Sequence, residues 1–186
     1  MGKLLFRTGL GEAYVGDSLD FLRSLPEESV DLVVTSPPFP LLRQKEYGNP
    51  SAEEYLDWFL PYATEMRRVL KPTGSLVLDL GGAWKPGLPV REIYQYELLV
   101  RLVRSEGFHL AQEFFWWNPA RLPAPIEWVN VRRLRVKDGV NTVWWLSKTP
   151  FPKADNRRVL WPYSKQQRLL QQRGVAPAKR PSGHEI

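Results

Sequence analysis

The sequence predicts an α/β protein built on a doubly wound sheet, and three observations point to it. Short, nearly all-apolar runs such as Val-Asp-Leu-Val-Val-Thr (30–35) and Ser-Leu-Val-Leu-Asp-Leu (75–80) read as strands buried on both faces of a parallel sheet. Stretches of helical period separate these runs. The resulting order, strand–helix–strand–helix–strand, is that of a sheet with crossover helices. A chain of 186 residues suffices for one domain with a core, and 43% hydrophobic content excludes a disordered chain.

In chain order, residues 12–16 read as a short strand ending at Gly16-Asp17, and 18–25 as a short helix opened by Ser18. The strand 30–35 follows, then a loop over 36–50. Ser51 and Glu54 have the spacing of a capping box and open a helix to about Leu70, with Pro61 expected to kink it. Lys-Pro-Thr-Gly (71–74) is a turn, 75–80 a second buried strand, and Gly81-Gly82 a turn that uses the conformational freedom of glycine. A helix over about 91–106 ends at Gly107 as its C-terminal cap. Residues 108–117 and 139–148 are the third and fourth strands, antiparallel to each other around a basic insert, 118–138. Trp116, Trp117, Trp144 and Trp145 are expected to serve the core, one ring of each pair facing in. Residues 149–186 carry little periodic apolar signal, and no internal repeat is present.

The absence of cysteine removes disulfides, thiolate metal sites and cysteine nucleophiles, and fits a cytoplasmic protein. With only His109 and His184, no metal site is expected. No apolar run approaches the ~20 residues that cross a bilayer, so no membrane role is expected. Charge divides the chain. Residues 1–118 carry 12 Lys/Arg against 16 Asp/Glu, whereas 119–186 carry 14 against 4. A basic, aromatic-containing second part attracts a polyanion such as DNA, although a solvated basic surface gives the same count.

Ser36-Pro37-Pro38-Phe39 lies at the carboxyl end of the strand 30–35, where ligands collect in a doubly wound sheet. Prolines after a strand are also ordinary loop punctuation. The tetrapeptide resembles the catalytic motif of the amino-methyltransferases, which methylate exocyclic NH2 groups using S-adenosyl-L-methionine. The amine of cytosine or adenine is a poor nucleophile because its lone pair is delocalised into the ring. The resemblance assigns two acceptors to that nitrogen, the Ser36 side chain and the Pro37 carbonyl, with Pro37 and Pro38 limiting backbone freedom. It assigns to Phe39 stacking on a base rotated out of the duplex. Ser first and Phe last resembles the N4-cytosine enzymes. Adenine-N6 methylation is the weaker alternative.

Further blocks, "GDSLDFLRSLPEESVDLVVTSPPF", "LKPTGSLVLDLGG", "NPARLPAPIEWVN", "RVKDGVNTVWWLSKT" and "KRPSGH", resemble the permuted, β-class enzymes of PvuII type over nearly the whole chain. The resemblance implies a Rossmann-like methyltransferase sheet, with 1–117 as its catalytic part. It implies a basic DNA-recognition region over 118–186, containing one returning strand near 140–147. By position Asp17 matches the family's acidic residue beside the adenine of the cofactor. It reads equally as the acid that starts a helix. Arg132, Arg133, Arg135 and Lys137 are expected to contact DNA, alternating with Val131, Leu134 and Val136 on a ribbon, and Arg43 and Lys45 to touch phosphates flanking the flipped base. A short palindrome such as CAGCTG would be the target if specificity follows the resemblance.

The same resemblance exposes a gap. The family binds its cofactor through a Phe-x-Gly-x-Gly loop that no part of this sequence supplies, and Asp79-Leu-Gly-Gly-Ala-Trp84 lacks the second spaced glycine. The sheet is therefore expected to be incomplete, and a second polypeptide or a missing C-terminal half to carry the loop. A split enzyme, a partial chain and a truncated remnant all fit. So does a different class of function, a DNA-binding recognition subunit that is inactive without its partner.

Overall fold

A computed structural model describes residues 2–40, 48–120, 122 and 126–174. Two strands, β1 (Lys3–Arg7) and β2 (Glu12–Val15), pair antiparallel as a separate hairpin. The strand expected over 12–16 thus exists but lies outside the main sheet, and its partner β1 is an element the sequence reading missed. Helix α1 (Ser18–Ser24) follows, then β3 (Val30–Thr35), α2 (Tyr55–Val69), β4 (Leu70–Leu80), α3 (Tyr94–Arg104), β5 (His109–Trp117), a π-helical turn (Glu127–Val131), β6 (Val140–Ser147) and α4 (Lys165–Arg173). The main sheet has the order β3-β4-β6-β5, with β3 parallel to β4 and β6 antiparallel to both of its neighbours.

Ser51 is expected to open this helix, but residues 52–54 form a turn and α2 starts at Tyr55, with Glu54 at its N-cap and no side-chain bond to cap it. The Ser51 hydroxyl accepts from the Glu54 amide (3.2 Å), and the Glu54 carboxylate accepts from the Ser51 amide (3.4 Å). Tyr55, Phe59, Ala63, Met66 and Val69 then recur on one side and are buried. They meet Tyr94, Leu98 and Leu102 of α3 and the inward residues Leu76, Leu78, Leu80, Trp144 and Leu146 of the sheet in one core. Arg68 ties α1 to this layer by donating to the carbonyls of Leu22 (2.9 Å) and Leu25 (3.0 Å) at the end of α1, where the helix dipole favours a cation. At the end of α3, Gly107 takes φ +75, and the Phe108 amide donates to Leu102 (3.1 Å), the glycine-closed stop that was expected.

Only one face of the sheet is covered by the described helices. On the other, Leu32 and Val34 of β3 are 53% and 66% exposed, and Phe114 and Trp116 of β5 are 43% and 54% exposed. The strand 30–35 is therefore an edge strand with one bare face, not one buried on both. Trp116 and Trp117 are likewise at the surface, because β5 is the opposite edge and no described helix reaches its end. Trp144 is fully buried, while Trp145 faces the other way and its indole N–H donates to Ser75 Oγ (2.8 Å).

Lys71–Gly74, expected as a turn before the strand, is absorbed into β4 as a bulge. Val30 pairs with Leu70 but Leu32 already pairs with Ser75. The bulged carbonyls of Pro72, Thr73 and Gly74 are taken by Thr149 Oγ1, the Lys153 amide and the Lys148 amide.

The turn after β4 needs its two glycines for a reason other than backbone freedom, since neither takes a positive φ. A Cβ on Gly81 would lie 2.5 Å from the Phe39 ring, and one on Gly82 would lie 1.7 Å from an Arg91 guanidinium nitrogen. Both are sites of close approach.

Residues from Ala154 form a second compact unit. Its helix α4 was not foreseen, although Ser164 and Gln167 form a complete capping box and Gly174 ends the helix at φ 72. Among the described residues no helix is long and apolar enough to cross a membrane.

Two outcomes test this packing. Leu98→Ala, at a fully buried position, lowers the unfolding free energy by about 2–5 kcal/mol, measured by urea titration. Gly81→Ala must displace a ring and costs about 1–3 kcal/mol. Gly82→Ala meets the Arg91 guanidinium, the end of a long side chain that can swing aside at the cost of its Asp138 pair, so its urea midpoint falls less.

Candidate active site

The register of β3 on β4 builds the site. Thr35 pairs with Leu78 in parallel, so the next residues, Ser36 and Asp79, come side by side at the carboxyl ends of adjacent strands. Ser36 Oγ donates to Asp79 Oδ2 at 3.4 Å. Asp79 Oδ1 is buried and has no hydrogen-bond partner among the described residues. An acceptor buried this way is costly unless something donates to it, so it marks where a donor would dock. Ser36 itself is exposed, Pro37 and Pro38 are half-buried and Pro40 is buried.

Phe39 is half-buried, with its ring against Gly81 and the edge of the core. The Gly81 carbonyl accepts from the Tyr94 hydroxyl, which fixes the strip of backbone on which the ring rests. Burial pushes the Tyr94 hydroxyl above its ordinary pKa, so it stays a neutral donor. The elbow is thus held by a rigid dipeptide and by a ring wedged over a glycine.

Asp17 lies elsewhere, at the start of α1. Its Oδ1 accepts from the amides of Leu19 (2.7 Å) and Asp20 (3.3 Å), the N-cap role its position allowed. It also lines a cavity of about 470 Å³ with Gly2, Glu12, Tyr14, Gly16 and Phe21. The rings of Tyr14 and Phe21 lie 5.2 Å apart there.

The basic residues differ sharply in how free they are. Arg135 is spent internally: its guanidinium lies 3.5 Å from the centre of the Trp84 ring and donates to the Pro89 carbonyl (2.8 Å). Lys137 donates to the Pro119 carbonyl (2.6 Å). Arg132 pairs with Glu127 (3.0 Å) and lies over Trp128 (5.0 Å). Arg133, at φ 56, is exposed with no hydrogen bond or ion pair among the described residues. The ribbon expected here does not form, because a π-helical turn ends at Val131 and irregular backbone follows. Arg43 and Lys45 lie outside the described residues.

Sequence reasoning missed two features. Asp79 was noticed only as part of a glycine string, although an acid within an otherwise apolar strand is itself a signal. The second is a clamp: Arg91 pairs with Asp138 (2.9 Å) and, like Arg135, lies over Trp84, at 5.4 Å. It ties the segment before β6 to the loop after β4. Among the described residues no cluster able to hold a metal is present.

With this geometry in place, the likeness to known proteins has a physical basis. A family described as DNA methylase matches residues 30–186. The type II methyltransferase M.PvuII of Proteus hauseri is 52% identical over 187 residues, covering 99% of this chain and 56% of the relative. A solved PvuII DNA methyltransferase, described as cytosine-N4-specific, superposes with a TM-score of 0.71 at 47% identity, over 88% of this chain and 62% of that one. A Thermus thermophilus protein described as a putative DNA modification methylase, solved with S-adenosyl-L-methionine, gives a TM-score of 0.53 at 25% identity, over 77% of this chain and 56% of that one. The chain spans little more than half the length of these relatives. A profile match over most of the chain and a sheet that places the Ser-Pro-Pro-Phe elbow at its strand ends together make this chain a member of the DNA methylase family.

Proposed function

We propose that the chain carries the target-base site of an enzyme that methylates N4 of cytosine in duplex DNA. The observation that carries this reading is the Ser36–Asp79 contact at the mouth of the β3–β4 pair. The likeness to M.PvuII and to a cytosine-N4-specific structure supports it.

In this reading the target cytosine leaves the helix and lies against Phe39. Ser36 Oγ, its own proton directed at Asp79, offers lone pairs to one N4–H, and the Pro37 carbonyl accepts the other. Holding both hydrogens out of the ring plane returns lone-pair character to N4. When bound, S-adenosyl-L-methionine would supply the electrophilic methyl group, its S–C bond breaking as the N–C bond forms so that the neutral thioether leaves. The proton that N4 gives up would pass by way of Ser36 toward the Asp79 carboxylate. Asp17 suits that cofactor in part, because its Oδ2 has no hydrogen bond among the described residues and its cavity has aromatic walls. We assign the rest of the cofactor pocket to a glycine-rich loop on a further segment or a second polypeptide. The bare face bearing Leu32 and Val34 supports such a covering layer. That same face favours a second reading, in which the isolated chain binds DNA but transfers nothing.

In the intact enzyme, Ser36→Ala lowers kcat by roughly 10²–10⁴ and leaves DNA affinity within about threefold. Mass spectrometry of nucleosides from modified duplexes reads N4-methylcytosine, and unchanged turnover would sink the mechanism. Appearance of N6-methyladenine in its place would move the target to adenine. Calorimetry of this chain with S-adenosyl-L-methionine separates the two readings of the pocket: tight binding by the chain alone means that no further loop is needed.

A further inference from the structure

We propose that α4 is a reading helix for the DNA major groove, with Arg168 recognising guanine, Gln172 recognising adenine and Lys165 holding a phosphate. This inference rests on the DNA reading above and names the side chains that would select the sequence.

The composition of the helix is the first argument. Lys165–Arg173 contains three cations, four glutamines, two leucines and no acid. Every residue of the helix is exposed. From Ala154 to Ile186 the chain has seven Lys/Arg against two Asp/Glu, and Asp155 is already paired with Arg157 (2.6 Å). Such a surface complements a polyanion. Two leucines are too narrow a stripe for a membrane-lying helix, which carries a broad apolar face. Glutamine and arginine are the side chains whose paired polar atoms match the major-groove edges of adenine and guanine.

The second argument is geometric. Lys165, Arg168 and Gln172 follow the i, i+3, i+7 spacing that aligns side chains on one side of a helix. Leu169, four residues past Lys165, borders the same side, where it can meet a thymine methyl, and Leu170 leaves in another direction. Arg168 Nε donates to the Tyr163 carbonyl at 3.1 Å. That bond orients the guanidinium and leaves its two terminal nitrogens without another partner among the described residues. A bidentate contact to guanine O6 and N7 needs such a free pair. Gln167 is not available, because its amide oxygen accepts from the Ser164 amide (2.9 Å) and its own amide donates to Ser164 Oγ (3.2 Å). The capping box therefore stabilises the helix while the far side remains open.

Size agrees. An α-helix with its side chains is about 10–12 Å across, matching the ~12 Å width of the major groove, and nine residues run roughly 13 Å along it. The step from Arg168 to Gln172 advances roughly 6 Å along the axis, near two base steps of ~3.4 Å. The guanine and adenine read should thus lie about two positions apart. Duplex RNA is a poorer fit, since its major groove is too narrow for side chains to read.

The test is selection from a random-sequence duplex DNA pool by the chain at fixed salt, with the bound fraction sequenced. The wild type enriches a motif containing guanine and adenine about two steps apart. Arg168→Ala and Arg168→Lys each flatten the guanine preference by roughly 5- to 150-fold, and Gln172→Ala does the same for adenine. The lysine variant keeps charge and helix, so its loss reports the missing fork and not unfolding. Lys165→Ala weakens all sequences alike and reduces the slope of log K against log salt by about 1. A motif that survives both the Arg168 and the Gln172 changes overturns the helix assignment while leaving the DNA reading intact. Failure of the wild type to enrich any duplex, or enrichment only from a single-stranded RNA pool, overturns both.

Discussion

Parallel pairing of β3 with β4 is the constraint on which the candidate site depends. It sets Ser36 against Asp79 without help from any loop, because the pairing of Thr35 with Leu78 already determines which residues come next on each strand. A one-residue slip would carry every side chain of β3 to the opposite face and separate the two. The four-residue bulge at Lys71–Gly74 lies upstream of this point, and its carbonyls are taken by the chain just past β6. The irregular part of β4 is therefore anchored away from the part that positions chemistry.

The elbow depends on the same strand a second time. β4 runs straight into Gly81, whose missing side chain is the space that Phe39 occupies. Gly82 does the same for Arg91, which holds Asp138 and shares the Trp84 ring with Arg135. Two adjacent glycines thus accept, on one side, the ring proposed to stack a base and, on the other, the clamp that fixes the basic insert. Their role is contact, which explains why a reading based on turn conformation placed them correctly and explained them wrongly.

What the sequence made legible was whatever is encoded locally. The Ser51–Glu54 capping box, the Gly107 stop, the strand before the elbow and the antiparallel closing pair all depend on neighbouring residues or on an apolar run. Burial of β3 and β5 was not legible. An apolar strand has the same composition whether or not the layer that covers its second face is present, so Leu32, Val34 and Trp116 read as core although they are exposed. Arginine use was equally hidden, since charge counts cannot separate Arg135, stacked on Trp84, from Arg133, which has no such tie. Helix α4 was missed for the opposite reason. A helix without a buried face has no apolar period, and only its cap and its good helix formers announce it.

The bare face and the chemistry lie on the same side of the sheet. Side chains alternate along β4, so Val77 and Asp79 share a face, and through the register that face includes Val34 of β3 and Val143 of β6. Leu76, Leu78 and Leu80 point the other way, into the helical layer. Ser36 meets Asp79 and so belongs to the uncovered side as well. Any layer that removes Leu32, Val34, Phe114 and Trp116 from water, at about 25 cal/mol gained per Å² of apolar surface, necessarily comes down beside the Ser36–Asp79 pair. Covering the sheet and enclosing the site are then one event. The hydrophobic energy that closes the fold would also exclude water from the Ser36–Asp79 contact, the proposed proton path, where a lower dielectric strengthens the hydrogen bond.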